Sequence, residues 1–407
     1  MAQNKKAIGF IFITLILDIT GLGLIIPVLP DLIKELIDGT VSHAAIYGGY
    51  LTATYAVMQF VFAPVLGGLS DQYGRRPVLL FSLFGFGLDY LFLFFAPTIG
   101  WLFVGRAIAG ITGASITTAS AYIADISTNE DRAKNFGMIG AAFGIGFIIG
   151  PAIGGLLGSF GTRIPFLVAA GLTLLNWLYG YFVLPESLPV KNRRPFDIKR
   201  ANPLGSLLQL KKYPSLGGLI VAFFFIYIAS HAIQSNWGFY GIEKFGWSEK
   251  MIGISLAFVG LLIAIVQGVL IRYINPKIGD EKSVYYGLGL YAFGMLGLAF
   301  ASETWMVFAI LIPYCVGGIS GPALQSIITK NVAANEQGEL QGALTSLISI
   351  TTIIAPMLMT GLFSHFTRKD TSLYFPGMPF ILASALMLTS VLIAFKTLEK
   401  NRVHKLS

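Results

Sequence analysis

Charge is scarce in this sequence. Asp, Glu, Lys and Arg together make up 12% of 407 residues, about half the ~25% usual in soluble domains. So few charges cannot cover a water-facing surface, which excludes a string of soluble domains of ordinary size. Cysteine is nearly absent. Cys315 stands alone, so there is no intrachain disulfide and no cysteine-based metal site. The chain has no Asn-x-Ser/Thr sequon, no glycine-rich nucleotide loop and no constellation resembling a hydrolase or transferase site. A protein that is not an enzyme, takes no metal or other cofactor and draws its energy from an ion gradient is therefore expected.

Apolar residues are abundant. They form 55% of the chain, with 32 Phe and 47 Gly, a pairing suited to helices packed closely in lipid. Apolar segments fall at 7–29, 46–69, 78–96, 100–123, 136–158, 164–184, 215–238, 251–271, 284–301, 304–328, 340–362 and 376–395. The runs do not alternate polar with apolar residues as a barrel would, so twelve transmembrane helices are expected. The first run follows Lys5 and Lys6 like a signal peptide. It is too long for one, carries Asp18 in its middle and lacks a small-x-small cleavage site, so it reads as a retained span.

The positive charges report topology. With the N-terminus inside, the tails and even-numbered loops hold 21 Lys and Arg, the outer loops hold six, and Arg106 alone lies within a span. This bias places both ends in the cytoplasm. It also accounts for a formal charge of +8 without nucleic acid as a partner.

Residues 185–214 are the one long internal loop, with Pro185, Pro189, Pro195, Pro203 and Pro214 and seven basic residues. They read as a tether between a six-helix half at 1–184 and another at 215–407, the latter ending in a cytoplasmic tail. Leu204, Leu207, Leu208 and Leu210 suit a short amphipathic helix on the inner surface. The halves echo each other. Gly74 answers Gly279 and Gly150-Pro151 answers Ala355-Pro356 at an offset of 205, Asn129-Glu130 answers Asn335-Glu336 at 206, and Gly110 to Gly113 answers Gly318 to Gly321 at 208. Two six-helix repeats make a natural alternating-access carrier with a site at the midplane.

Several motifs point to a family. Gly67-Gly68-Leu69-Ser70-Asp71-Gln72-Tyr73-Gly74-Arg75-Arg76 resembles the loop between helices 2 and 3 of the major facilitator superfamily, with Gln72 where that pattern has Arg. Arg106 and Gly110 resemble its fourth-helix motif. Gly137, Gly146, Gly150, Pro151, Gly154 and Gly155 match its fifth-helix antiporter motif at every fixed position. Within the superfamily the chain is most similar to the tetracycline-resistance efflux branch, through Leu17-Asp18, Leu88-Asp89-Tyr90-Leu91, Phe245-Gly246-Trp247, Pro322-Ala323-Leu324-Gln325 and the stretch from Glu336 to Gly342. The resemblance implies an all-α membrane protein of two pseudo-symmetric six-helix halves, the major facilitator fold. It also implies a bacterial inner-membrane drug:proton antiporter, with a single chain as the working unit. Drug pumps of the branch carry a ninth-span acid and an eighth-span histidine. Here the sequence reads Gly287 to Ala292 without an acid, and Ile263 in place of the histidine, so the substrate stays open between a tetracycline-like drug and another amphiphile.

Three fully charged side chains lie within spans: Asp18, Asp89 and Arg106. Ionisable groups in lipid mark pathways or relays. Each Asp lies about 16 Å deep and Arg106 about 9 Å from the other face, leaving a height difference of ~5 Å that an Arg side chain bridges. A carboxylate near Arg ionises readily and one facing apolar walls holds its proton. Asp18 and Asp89 are thus the candidates for proton coupling. The competing reading is a static buried pair between Asp18 and Arg106.

In the seventh span, His231, Gln234, Asn236 and Trp237, with Tyr240 near the outer end, suit the cavity of an amphiphilic ligand. His231 and Gln234, three apart, share a helix face. Arg106 and Gln325 join them as cavity candidates, and interhelical hydrogen bonding is the alternative for each. Gly67, Asp71, Gly74, Arg75, Arg76 and Asp125 read as a gate. Asp71 is placed to face the N-terminus of the third span, and Arg75 and Arg76 to reach Asp125, latching the inner side. The fifth-span glycines are expected to pack against the other half. A proton-driven exporter is the first reading, a proton-coupled importer the second, and a non-transporting receptor or scaffold the third.

Overall fold

The structure, a computed structural model, describes residues 2–113, 115–127, 132–196, 203–333 and 336–406. Asn129, Glu130 and Asn335 of the echoed landmarks, and residues 197–202 of the linker, lie outside the described residues.

Among the described residues, twelve helices are long and apolar enough to cross a membrane. They are α1 (Ala2–Ile25), α2 (Val41–Tyr73), α3 (Arg75–Phe95), α4 (Ile99–Thr112, resumed as Ser115–Ile126), α5 (Arg132–Gly158) and α6 (Ile164–Val183). The second six are α7 (Gly217–Phe245), α8 (Glu249–Ile265, continued through a π turn at Val266–Leu270 into Ile271–Ile278), α9 (Asp280–Phe300), α10 (Thr304–Val316, then a 3-10 turn at Gly317–Ile319 and Ser320–Lys330), α11 (Gln337–Thr367) and α12 (Met378–Leu406). Helices satisfy every backbone group within the segment, which lipid demands. Large apolar side chains such as Phe182, Phe95, Phe293 and Trp305 stay exposed, as a surface facing lipid tails requires.

α1 ends ahead of Pro27, earlier than the apolar run, and a short helix at Leu29–Ile37 carries Pro30 as its second residue. That helix stops at Asp38 in the left-handed region, φ 47°. In the linker, Pro203–Leu208 is helical and packs on α11, with Leu207 and Leu210 half-buried and Leu208 exposed.

The chain forms two compact units. The first holds residues 1–39, 54–202 and 248–260; the second holds 40–53, 203–247 and 261–407. Within the first, α1 packs on α5 and α6, and α3 on α4 and α6. Within the second, α7 packs on α11 and α12, and α9 on α10 and α12. The pairings are the same with six added to each helix number. The backbone repeats in finer detail as well. Gly74 precedes α3 at φ 107°, ψ 164°, and Gly279 precedes α9 at φ 80°, ψ 162°. Both need glycine, since side chains are disfavoured at positive φ. α4 breaks at Gly113 and α10 tightens at Gly317–Ile319, where the sequence echo lies.

Candidate functional site

Three side chains of the first unit carry the charge inside its spans, and the fold sorts them. Arg106 Nε donates to Asp89 Oδ1 at 3.2 Å, and its Nη2 donates to Asp89 Oδ2. Asp89 is fully buried and the Arg106 side chain is 11% exposed. Gly105 makes room, because a Cβ there would lie 2.7 Å from Asp89 Oδ1. A two-pronged guanidinium–carboxylate pair fixes geometry and keeps both charges compensated. Arg106 is thus the partner of Asp89, and the static Asp18–Arg106 pair is not formed.

Asp18 is left without a counter-charge. It is 7% exposed, its Oδ2 has no hydrogen-bond partner, and the Ser115 hydroxyl is its polar neighbour. Asp18 lines a cavity of about 20 Å³ with Tyr55, Gln59, Tyr90 and Ser115. Gln59 Nε2 donates to the Tyr55 hydroxyl at 2.9 Å and to the Gly113 carbonyl at 3.0 Å. A buried carboxylate oxygen with no partner is costly, and such a group points to work beyond packing.

The α5 glycines hold α1 in place around this carboxylate. A Cβ on Gly146 would lie 2.7 Å from Ile19, and one on Gly150 would lie 2.7 Å from the Thr20 carbonyl and 2.8 Å from Gly23 Cα. Gly154 abuts the Leu24 backbone in the same way. Gly146, Gly150 and Gly154 are four apart and form one strip along α5, which includes Pro151. The strip faces α1 of its own half rather than the other half. Gly155 does meet a later helix, lying against Glu249 and Gly253 of α8, and Gly158 nearby also meets Glu249. Gly137 lies in the first turns of α5.

The residues expected to form a gate also gather, with partners the sequence did not reveal. Arg75 Nη1 donates to Asp71 Oδ1 at 2.6 Å, and Arg75 Nε donates to Asp125 Oδ2 at 3.1 Å. Arg76 does not reach Asp125. Its Nη2 donates to the Tyr181 carbonyl at 2.5 Å, and its guanidinium lies over the Tyr181 ring, 5.7 Å from the centroid. The carboxylate at the N-terminus of α3 is that of Glu186, not Asp71. Glu186 accepts from the backbone N–H groups of Arg75 at 2.8 Å, Arg76 at 3.2 Å, Ser187 at 2.9 Å and Leu188 at 3.0 Å. Its one sequence signal is an acid at the head of a predominantly basic loop.

The linker on both sides of Glu186 is stitched to this cluster. Ser187 Oγ donates to Asp125, the Tyr122 hydroxyl donates to the Pro185 carbonyl, and the Arg194 N–H donates to the Asp71 carbonyl. The Phe196 N–H donates to Gln72 Oε1 at 3.0 Å, and the Phe196 ring covers Gly68. Arg at position 72 has no acceptor to offer, so the departure from the family pattern at Gln72 has a structural use. Gly67, by contrast, meets nothing within 4 Å of a Cβ.

The α7 residues fall within the second unit. His231, Asn236, Trp237 and Tyr240 are buried there, while Gln234 is exposed and bonded to Ser230 at 3.3 Å. His231 and Gln234 therefore do not share an environment. Asn236 Nδ2 donates to the Ala232 carbonyl at 3.3 Å, Trp237 meets Trp247 edge to face, and Tyr240 donates to the Leu298 carbonyl. Gln325 is exposed and bonds Gln341 across α10 and α11 at 3.1 Å.

A duplicated six-helix bundle, with a buried charge pair, a lone carboxylate and a glycine-strip helix, defines a secondary transporter. The chain belongs to the Major Facilitator Superfamily, whose model matches residues 11–356. It is similar to the class C tetracycline resistance protein of Escherichia coli, at 41% identity over 89% of this chain and 91% of that one. It is also similar to the class H tetracycline resistance protein of Pasteurella multocida, at 37% identity over 98% of both. Among solved structures, a bacterial homolog of the human lysosomal transporter Spinster superposes at TM-score 0.76 with 13% identity, covering 98% of this chain and 97% of that one. The human organic anion transporter MFSD10 superposes at 0.71 with 22% identity, covering 96% and 99%. These two likenesses speak to the fold alone.

Proposed function

We propose that this chain exports an amphiphilic, tetracycline-like drug in exchange for protons, by alternating access, from a bacterial cytoplasm. It sits as a single working chain in the inner membrane with both termini inside, as the distribution of Lys and Arg indicates. Relatives named for tetracycline resistance support the substrate class.

The observation that carries the coupling reading is the division of charge between the two acids. Arg106 is taken by Asp89, so Asp18 exchanges a proton without breaking an ion pair. Asp18 is then the proton carrier, Asp89 with Arg106 the fixed pair beside it, and the Asp71–Arg75–Asp125 cluster the gate. His231, Gln234, Asn236, Trp237 and Gln325 are the second unit's candidates for ligand contact, Gln234 and Gln325 being the exposed ones.

Reconstituted vesicles test this. Asp18→Asn keeps shape and hydrogen-bonding capacity but cannot cycle a proton. It is expected to lose export driven by a pH gradient while still letting tetracycline equilibrate downhill. Uphill export by Asp18→Asn at the wild-type rate would remove Asp18 from the mechanism. Expression of the wild-type chain in a pump-deficient bacterium is expected to raise resistance to tetracycline or another amphiphile in a toxic panel.

A further inference from the structure

The structure assigns a one-water site beside Asp18, in which the Tyr55 hydroxyl orients the water that hands Asp18 its proton. This rests on the proposed role of Asp18 as proton carrier. Three observations lead to it. The cavity holds about 20 Å³, and a cavity of more than about 10–15 Å³ with two or more polar partners accommodates one water. Asp18 lines that cavity, and its Oδ2 is buried and has no partner. The third is the direction of the Tyr55 proton.

Gln59 fixes that direction. The Gly113 carbonyl can only accept, so the Gln59 atom 3.0 Å from it is the amide nitrogen. The same nitrogen donates its second hydrogen to the Tyr55 oxygen at 2.9 Å. With Gln59 as donor, Tyr55 cannot donate back. Its own hydrogen goes to a third atom, and the cavity it shares with Asp18 supplies the place. A water there accepts from Tyr55 and donates to Oδ2. When a proton arrives from solvent, the water passes one hydrogen to Oδ2 and keeps the incoming one. The carboxylate becomes the neutral acid and the water is regenerated.

The other ionisable groups around the site are accounted for. α3 brings Asp89 and Tyr90, and α4 brings Arg106, with Asp89 and Arg106 committed to each other. The Tyr90 hydroxyl abuts α1 at Gly21, one turn beyond Asp18. α5 presents Gly146 and Gly150 to α1, and α6 presents Asn176 to Thr14. Tyr55 lies in the field of Asp18, Asp89 and Arg106 together. It is the hydroxyl whose acceptor lone pair is already used.

The test compares wild type, Tyr55→Phe and Asp18→Asn in vesicles with tetracycline as the probe. Tyr55→Phe is expected to lower kcat for pH-driven export about tenfold, the size of one lost hydrogen bond. Its KM and downhill equilibration should stay within about twofold, since uniform binding is untouched. Wild-type uphill export by Tyr55→Phe, with Asp18→Asn inactive, overturns the water site and leaves the carrier role of Asp18 intact. Uphill export by Asp18→Asn overturns both. Infrared difference spectra between low and high pH on wild-type protein give a readout that needs no Tyr55 variant to fold. The acid band of Asp18, assigned by its loss in Asp18→Asn, should be that of a hydrogen-bonded acid and be accompanied by a water band that shifts in ¹⁸O water. An acid band at the free-acid frequency with no such water band overturns the site.

Discussion

Lys330 and Asp280 pair at 2.7 Å where Asp125 and Arg75 pair in the first repeat, with the charges exchanged. Asp280 follows Arg75 by 205 residues, and Lys330 follows Asp125 by the same number. The exchange changes how each pair sits on the helix dipoles. Asp280 opens α9 and Lys330 closes α10, both on the favourable side, whereas Arg75 opens α3 and Asp125 lies in the last turn of α4, both on the unfavourable side. The first pair stands with help from Asp71, Ser187 and the four-amide grip of Glu186. The second has Ser326 beside it, donating to Asp280.

This difference sets the expected response to mutation. The Lys330 side chain is 71% exposed, so the pair is worth no more than about 1 kcal/mol. Asp280→Asn should leave transport within about twofold of wild type and barely move Tm. Arg75→Ala, which empties three hydrogen bonds from a side chain only 12% exposed, should cut transport sharply with protein still in the membrane. Equal effects of the two substitutions on transport would contradict the asymmetry.

Asp89→Asn should destabilise the fold by about 3–5 kcal/mol, because Arg106 is then buried without its counter-charge. Folded yield after size exclusion measures this. The double variant Asp89→Asn with Arg106→Gln should recover much of the loss, since no orphaned charge remains. A double variant as damaged as the single one would show that the geometry of the pair, not its charge balance, matters.

Glu186 and Gln72 separate two functions of the linker. Glu186→Ala removes the acceptor for the first amides of α3 and should cost about 1 kcal/mol, the usual worth of an N-terminal cap. Glu186→Gln keeps one acceptor oxygen and should recover part of it. Gln72→Arg leaves the Phe196 N–H without an acceptor and should expose residues 194–196 to limited proteolysis while Tm changes little. An unaltered cleavage pattern in Gln72→Arg would mean that Phe196 on Gly68 holds the segment alone.

Gly150 and Gly140 form a matched pair on α5. A side chain on Gly150 meets the α1 backbone at 2.7 and 2.8 Å, while one on Gly140 meets nothing within 4 Å. Gly150→Val should therefore reduce folded yield or transport strongly, and Gly140→Ala should be neutral or slightly stabilising. Normal transport by Gly150→Val would show that α1 and α5 are not locked together around Asp18.

Much of this was legible one segment at a time. Apolar runs report spans, and a hydropathy run needs no tertiary partner to be recognised; hence the twelve helices and the repeat were visible in the letters. Gly74 and Gly279 stood out because a positive-φ turn is written locally. Asp18, Asp89 and Arg106 stood out because charge in lipid is costly wherever it falls.

What the letters left open was which groups meet. Depth along a helix placed Arg106 within reach of either acid, and only the rotation of α1, α3 and α4 about their axes gave it to Asp89. The amides of α3 found Glu186 from 110 residues away in sequence, and Arg76 found the Tyr181 carbonyl from 105. The α5 glycines marked a close approach, but a missing side chain does not say whose backbone fills the space; the fold put α1 there. Composition and periodicity are properties of single helices and can be read from them. Pairing is a property of how helices are turned and stacked, and it leaves no signature in any one of them.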